Sequence, residues 1–184
     1  KKKTPANFKF SIKANRYFTH MKKLKIDDDF KRRYNDFEKL ILTLGEKLSC
    51  ILWQLPGNIE KKLSKLSSFC EFAGKNIHHV IEFRHESWFA PEVYEILESA
   101  GMSFCMVSAP KKIPEEAIAT NPVGYLRLHG RETWYKYLYS DEELNEWKAK
   151  LEKPEMNELF VFFNNDVDAN AVRNAKMMKK IFEK

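Results

Sequence analysis

Three residues with different chemistry lie within four positions of the chain: Glu82, Arg84 and His85. They end the segment "HHVIEFRH", whose apolar middle is typical of a buried strand. A carboxylate can act as a general base or metal ligand, a guanidinium binds anions, and an imidazole exchanges protons near neutral pH. The same residues could instead form a buried network in which Glu82 neutralises Lys13 or Arg127. Both interpretations agree with the sequence.

Predicted strands alternate with amphipathic helices along the chain. Polar and apolar residues alternate over 7–14 ("NFKFSIKA"), which predicts a strand. The further predicted strands span 49–56, 79–83, 102–107, 123–130 and 158–165. The predicted helices span 30–44, 63–73, 91–100, 140–151 and 172–182. Six βα units in this order predict an α/β protein with parallel strands.

Almost every predicted strand finishes with a hydrogen-bonding residue. These residues are Lys13, Gln54, Glu82, Arg127 with His129, and Asn164. Barrel enzymes of the TIM type place their active sites at this end of the strands. An open doubly wound sheet is the competing architecture, but no glycine-rich phosphate-binding motif follows the early strands. The pattern therefore favours a TIM-type (β/α)8 barrel.

Alternation within the strands separates an apolar face from a polar one. In "GYLRLHG", Leu126 and Leu128 face one way, whereas Tyr125, Arg127 and His129 face the other. In "VIEFR", the acidic and basic residues share one face in the same manner. This arrangement is typical of a barrel interior that opens into a pocket.

A metal site has few potential ligands in this sequence. His20, His85 and His129 with Glu82 and Asp166 could hold one divalent ion, but they lack a tight spacing such as H-x-x-x-H. The set is too small for the several zinc ions of barrel nucleases. No metal or other cofactor is therefore assigned.

The segment "FFNNDVDANAV" ends the last predicted strand and begins the last helix. Many TIM barrels bind a phosphate near their final strands, at the N-terminus of a helix. Asn164 and Asn165 suit such a site. Asp166 or Asp168 is expected to cap the helix and would repel an anion.

The segment 131–140 ("RETWYKYLYS") interleaves aromatic and basic residues. Such a loop could stack on a base or sugar of a nucleic acid. Alternatively, its aromatic side chains pack over the mouth of the barrel, and this second interpretation is preferred.

Composition sets broad limits on the class of protein. The net charge of +6 favours anionic partners only weakly, because the basic residues are interleaved with 26 acidic ones. Cys50, Cys70 and Cys105 are too far apart for a metal motif, which predicts reduced core thiols in a cytoplasmic protein. No apolar run approaches the roughly 18 residues that span a bilayer. The chain opens "KKKTPANF", without Met or a signal sequence, as expected for a fragment or processed form of a longer protein.

Six motifs occur in the order seen in the YecE-like family, also called domain of unknown function 72. They are "KANRYFTH", "LWQLP", "IEFRHESW", "YLRLHG", "YSDEEL" and "FFNNDVDANAVRNA". The chain resembles this family from about Phe8 to Lys184. The resemblance implies a TIM-type barrel without an established activity. It also implies a shared pocket formed by Lys13, Thr19, His20, Gln54, Glu82, Arg84, His85, Trp88, Arg127, His129, Asn164, Asn165 and Asp166.

The chain departs from the family pattern in two ways. Members usually begin with about two further βα units, and without them six units cannot close an eight-stranded barrel. Residues 1–184 are therefore expected to form one incomplete barrel domain, whose first strand at 8–14 is an exposed edge unless another chain or segment covers it. Ser108 stands where the family usually has Asp, which removes a possible pocket carboxylate.

The leading hypothesis is a hydrolase-like TIM-barrel enzyme that acts on an anionic, phosphate-containing substrate. Lys13, Arg84 and Arg127 would bind the anion, with Glu82 and His129 as the acid/base pair. The candidate catalytic residues are Glu82, His85 and His129. The alternative is a non-catalytic module that binds nucleic acid or a protein partner through basic helix faces and the aromatic loop. Self-association through barrel edges, or an inactive fragment, also agrees with the sequence.

Overall fold

The computed structural model describes residues 3–110 and 113–183. Contacts between Cα atoms divide the chain into two compact units, one ending at Met102 and the other beginning at Ser103. Each unit alternates three parallel strands with helices, which confirms the predicted α/β class. No helix within these described ranges is long and apolar enough to cross a membrane.

The first unit contains strands β1 (Phe10–Lys13), β2 (Leu48–Gln54) and β3 (His79–Glu82). Its helices are α1 (Asp28–Leu42), α2 (Leu63–Ala73) and α3 (Pro91–Ala100). A π-helical turn, Tyr17–Met21, follows β1, and single 3₁₀ turns occupy Gly45–Lys47 and Glu86–Trp88. β2 pairs in parallel with both other strands, so β1 lies at the edge of this unit's sheet, as predicted.

Aromatic side chains around Trp53 form the core of the first unit. The ring centroid of this fully buried residue lies 4.7 Å from Phe69, 5.9 Å from Phe18 and 6.0 Å from Tyr34. Its indole N–H donates to Nδ1 of His79 at 3.0 Å. Because side chains alternate along a strand, Leu52 and Gln54, the neighbours of Trp53 on β2, face away from this aromatic core.

The second unit contains strands β4 (Ser103–Ser108), β5 (Val123–Leu128) and β6 (Glu158–Phe163). Its helices are α4 (Asp141–Leu151) and α5 (Asn170–Phe182), and a 3₁₀ turn occupies Val167–Ala169. β5 pairs in parallel with β4 and β6. The long connection before β5 has no helix or strand in its described residues, 109–110 and 113–122.

Residues typical of helix ends mark the limits of two helices. Pro91 is the first residue of α3, and Gly101 ends that helix in the left-handed conformation with φ of 69°. The side chains of Ser140 and Glu143 form a capping box at the start of α4. Each of these signals acts within one turn of the helix end that it marks, so it can be recognised in the sequence.

The predicted cap of the last helix is wrong. No side-chain hydrogen bond caps α5, whose N-cap residue is Ala169. Asp168 has a left-handed backbone with φ of 57°, and Asp166 has a helical one, whereas a capping residue is typically extended.

The first helix ends earlier than predicted, at Leu42 and not at residue 44. A separate 3₁₀ turn, Gly45–Lys47, follows it.

The three cysteines are free, buried thiols, as predicted. Cys50 and Cys105 lie on strands β2 and β4, and Cys70 lies on α2. Burial raises the pKa of the Cys70 thiol to about 11. Because the thiolate is the reactive form, Cys70 is expected to be chemically inert.

Replacing Ser140 with alanine should lower the free energy of unfolding by about 1 kcal/mol. The hydroxyl of Ser140 accepts the backbone N–H of Glu143 at 3.2 Å, and alanine cannot replace this acceptor. Urea unfolding followed by circular dichroism measures the change. Ser140→Asp keeps an acceptor and serves as the control. Equal stability of Ser140→Ala and the unmodified protein would show that the cap contributes nothing.

Candidate functional site

The predicted site residues of the first unit meet at the carboxyl ends of its strands. Lys13 ends β1, and its Nζ donates to Oε1 of Gln54 at 2.7 Å. Glu82 ends β3, and Nε of Arg84 donates to its Oε1 at 2.8 Å. Gln54 and Glu82 are partners in the pairing of β2 with β3. The two hydrogen-bonded pairs therefore lie side by side at one end of this sheet.

Glu82 has Arg84 as an ion-pair partner in this geometry. The side chain of Glu82 is fully buried, and that of Arg84 is 18% exposed. A buried carboxylate requires a cation or hydrogen bonds to offset its loss of hydration. The chain after β2 passes close to the backbone of Arg84. A Cβ atom added at Gly57 would lie only 3.0 Å from the carbonyl oxygen of Arg84. The backbone at Arg84 is thus closely packed against the chain at Gly57.

The π-helical turn after β1 positions His20 within the field of these cations. The hydroxyl Oγ1 of Thr19, itself buried, lies 2.8 Å from Nδ1 of His20. Burial lowers the pKa of His20 below its ordinary value of 6.5, and the positive charges of Arg16, Lys13 and Arg84 lower it further. His20 is therefore neutral near pH 7 and lies in a positive potential. Single π-helical turns are frequent at functional sites.

His85 and Trp88 both contribute to local structure. Nδ1 of His85 lies 2.9 Å from Oγ of Ser87 and caps the 3₁₀ turn by accepting the Ser87 backbone N–H. Trp88 is buried, donates its indole N–H to the carbonyl oxygen of Ile59 at 2.8 Å, and stacks on Phe83. The catalytic role of His85 and the substrate-binding role of Trp88 stay predictions.

The predicted residues of the second unit lie at the ends of β5 and β6. Arg127 is 8% exposed, and its Nη2 donates to Oδ1 of Asn164 at 2.7 Å. His129 is buried, and its ring centroid lies 5.5 Å from that of Trp134. The guanidinium of Arg127 and the amide of Asn164 therefore meet at this end of the sheet. The imidazole of His129, two residues after Arg127, packs against the indole of Trp134.

The two residues after Asn164 differ in their environments. Asn165 is buried, and its Nδ2 donates to the carbonyl oxygen of Tyr137 at 2.7 Å and to Oδ1 of Asn174 at 2.8 Å. It thereby fastens the aromatic loop to α5. Asp166 is exposed. The substrate-binding roles of Asn165 and Asp166 stay predictions, and the geometry gives Asn165 a positioning role.

Acidic residues neutralise the basic charge at the start of the aromatic loop. The guanidinium of Arg131 lies 2.9 Å from Glu115, 3.0 Å from Glu143 and 2.9 Å from Glu146. The hydroxyl of Tyr137 also donates to Glu143, at 2.5 Å. An arginine held by three carboxylates is poorly suited to a phosphate backbone. These ion pairs disfavour stacking of the loop on nucleic acid, and packing over a barrel mouth stays a prediction.

Two residues near these sites are absent from the sequence prediction. The positive charge of Arg16 lowers the pKa of His20. The position of Arg16 within the motif "KANRYFTH" is the signal that could have identified it. Oε1 of Glu115 lies 2.5 Å from Oγ of Ser108, so a carboxylate does reach the end of β4. Glu115 lies in an irregular connection without hydrophobic periodicity, and no sequence rule predicts where its side chain lies.

Three of the five potential metal ligands suggested by the sequence have other partners. Within residues 3–110 and 113–183, no group of three or more His, Cys, Asp or Glu side chains is arranged to hold a metal ion. Glu82 pairs with Arg84, His85 contacts Ser87, and His20 contacts a threonine. The first unit's site is therefore best described by its hydrogen bonds and charges.

Comparison with known sequences identifies relatives along the whole chain. A family model described as "Protein of unknown function DUF72" matches residues 1–184. The UPF0759 protein YunF of Bacillus subtilis is 27% identical over 213 residues, which cover 99% of this chain and 76% of that protein. The order of motifs in the sequence predicted this relationship.

Solved structures give the same result. A DUF72 family protein from Thermotoga maritima is 31% identical, with a TM-score of 0.81 over 100% of this chain and 76% of its own. A DUF72 family protein from Enterococcus faecalis is 24% identical and similar in fold, with a TM-score of 0.76 over 100% of this chain and 81% of its own. The chain belongs to the DUF72 family of proteins of unknown function.

Proposed function

We propose that this chain is a domain of the TIM-barrel type, spanning 1–184 and contributing six βα units. We further propose that it is a hydrolase-like enzyme whose substrate is anionic and carries phosphate. The alternation of parallel strands with helices supports the barrel, as does the similarity to the Thermotoga maritima structure. The buried free thiols support a cytoplasmic location.

The observation that carries the functional proposal is the convergence of positive charge on His20. Lys13 ends β1 and Arg84 follows β3, and both lower the pKa of this imidazole. Each cation is oriented by a neighbour, Lys13 by Gln54 and Arg84 by Glu82. Oriented side chains lose less entropy on binding, and a guanidinium matches the geometry of phosphate oxygens. Such an arrangement suits a small anion at the carboxyl ends of β1 and β3.

Hydrolysis also needs groups that transfer protons. A base activates water, and an acid protonates the leaving group. Glu82 is a buried carboxylate paired with Arg84 and is the predicted base. His129 is buried beside Trp134 and remains the predicted acid. These roles are part of the proposal, as is the binding of anion by Arg127 in the second unit.

Inorganic phosphate and phosphomonoesters should raise the melting temperature of the protein. We expect Lys13→Met to weaken phosphate binding about tenfold or more, because a hydrogen bond to a charged group contributes about 1.5–3 kcal/mol. Isothermal calorimetry measures the affinity. Lys9→Met is the matched control, since Lys9 is likewise an exposed lysine next to the same strand but donates to the carbonyl oxygen of Glu46 and not to Gln54. Equal phosphate affinity in both variants, or no thermal shift with any phosphate compound, would contradict the proposal.

The same measurements test the nucleic-acid alternative. A non-catalytic module would bind oligonucleotides with a strong dependence on salt concentration, because binding releases counterions from the phosphate backbone. That binding would survive Glu82→Gln. Phosphate binding that depends on Lys13, together with weak oligonucleotide binding, would instead support a pocket for a small anion.

A further inference from the structure

His20 lies near the proposed anion site and, unlike Lys13 and Arg84, can change its charge near neutral pH. Its side chain is half-buried, and it lies on the turn that follows β1, the strand that ends with Lys13. We propose that His20 takes up a proton when an anion binds to Lys13 and Arg84, so that binding at this site is proton-coupled. The ligand would be a dianion such as a phosphate or sulfate group. This inference rests on the proposed function, since it requires an anion at these residues.

The contact with Thr19 allows the imidazole to change its charge without moving. Oγ1 of Thr19 is 2.8 Å from Nδ1 of His20, and Thr19 is only 1% exposed. A hydroxyl group can both donate and accept a hydrogen bond. In the imidazolium form, Nδ1–H donates to Oγ1, and Nε2–H becomes the second donor of the ring. The same hydrogen-bonded position therefore serves both protonation states.

The charges around His20 determine the direction of the coupling. Arg16 precedes the turn, Lys13 ends β1 and Arg84 follows β3, and all three oppose a positive charge on the imidazole. The carboxylate of Glu82 is paired with Arg84. A dianion bound to Lys13 and Arg84 offsets their charges and raises the pKa of His20. By linkage, protonation of His20 must strengthen anion binding by the same factor by which the anion favours protonation.

Nuclear magnetic resonance of the unmodified protein tests this inference directly. Sulfate is the probe, because it remains a dianion at neutral and mildly acidic pH and contributes no titration of its own. The Cε1–H signal of His20 should titrate below the ordinary histidine value in sulfate-free buffer, and saturating sulfate should raise the midpoint by about half a pH unit or more. Calorimetry should show sulfate affinity rising about two- to threefold from about pH 7.5 to about pH 5.5, because a midpoint shift of about half a unit can strengthen binding by at most about threefold.

Two variants separate His20 from other sources of pH dependence. In His20→Gln, the ratio of sulfate affinities at the two pH values should approach one. His78→Gln is the matched control and should keep the ratio, because His78 immediately precedes β3 at the other end of that strand. Sulfate binding without movement of the His20 midpoint overturns the proton coupling and leaves the proposed function standing. Failure to bind sulfate at all overturns both.

Discussion

Arg84→Met should lower the free energy of unfolding by about 3 kcal/mol, because removing one partner of a buried ion pair leaves a costly charge in the interior. The carboxylate of Glu82 is fully buried and accepts the Nε–H of Arg84 at 2.8 Å. The value is at the low end for buried pairs, since the side chain of Arg84 is 18% exposed. Urea unfolding near neutral pH measures the loss.

A double-mutant cycle assigns this loss to the pair. Glu82→Gln combined with Arg84→Met removes both charges, so the double variant should be more stable than the sum of the two single changes predicts. Arg16→Met is the control for loss of an arginine, because Arg16 is exposed and should change stability little. Strict additivity in the cycle would show that Glu82 and Arg84 do not stabilise each other.

Acidification from about pH 7 to about pH 4 should cost about 3 kcal/mol of stability through His79. Burial lowers the pKa of His79 from 6.5 to about 4. Between these two values the unfolded chain binds a proton that the folded protein does not, so stability falls as the pH falls. Protonation of Nδ1 would also break the hydrogen bond from the indole of Trp53. Unfolding in urea at a series of pH values measures the slope.

His79→Asn tests the origin of this pH dependence. The amide oxygen of asparagine can occupy the place of Nδ1 and accept from Trp53, but it does not titrate. The variant should therefore lose much of the slope between about pH 6.5 and about pH 4, whatever its stability at neutral pH. An unchanged slope would locate the acid sensitivity in another group. The comparison uses slopes because an asparagine in this core also changes packing.

Local patterns in the sequence predicted the order and type of the main elements. Alternation in "VIEFR" placed Glu82 and Arg84 on one face, and in the structure Nε of Arg84 donates to Oε1 of Glu82. The capping box at Ser140 was equally predictable. These features depend on residues a few positions apart, whose side-chain directions follow from the strand and helix repeats. The cap expected at Asp168 shows the limit of such reasoning, because the backbone there adopts a left-handed conformation.

The sequence by itself determined a parallel α/β protein of the DUF72 family with polar residues at the ends of its strands. It allowed Glu82 several cationic partners, and only the tertiary structure pairs that carboxylate with Arg84 and joins Lys13 to Gln54. Strand register and loop path bring together residues that lie far apart in the chain, and no local periodicity encodes those distances. For the same reason only the structure places the uncharged imidazole of His20 among three cations.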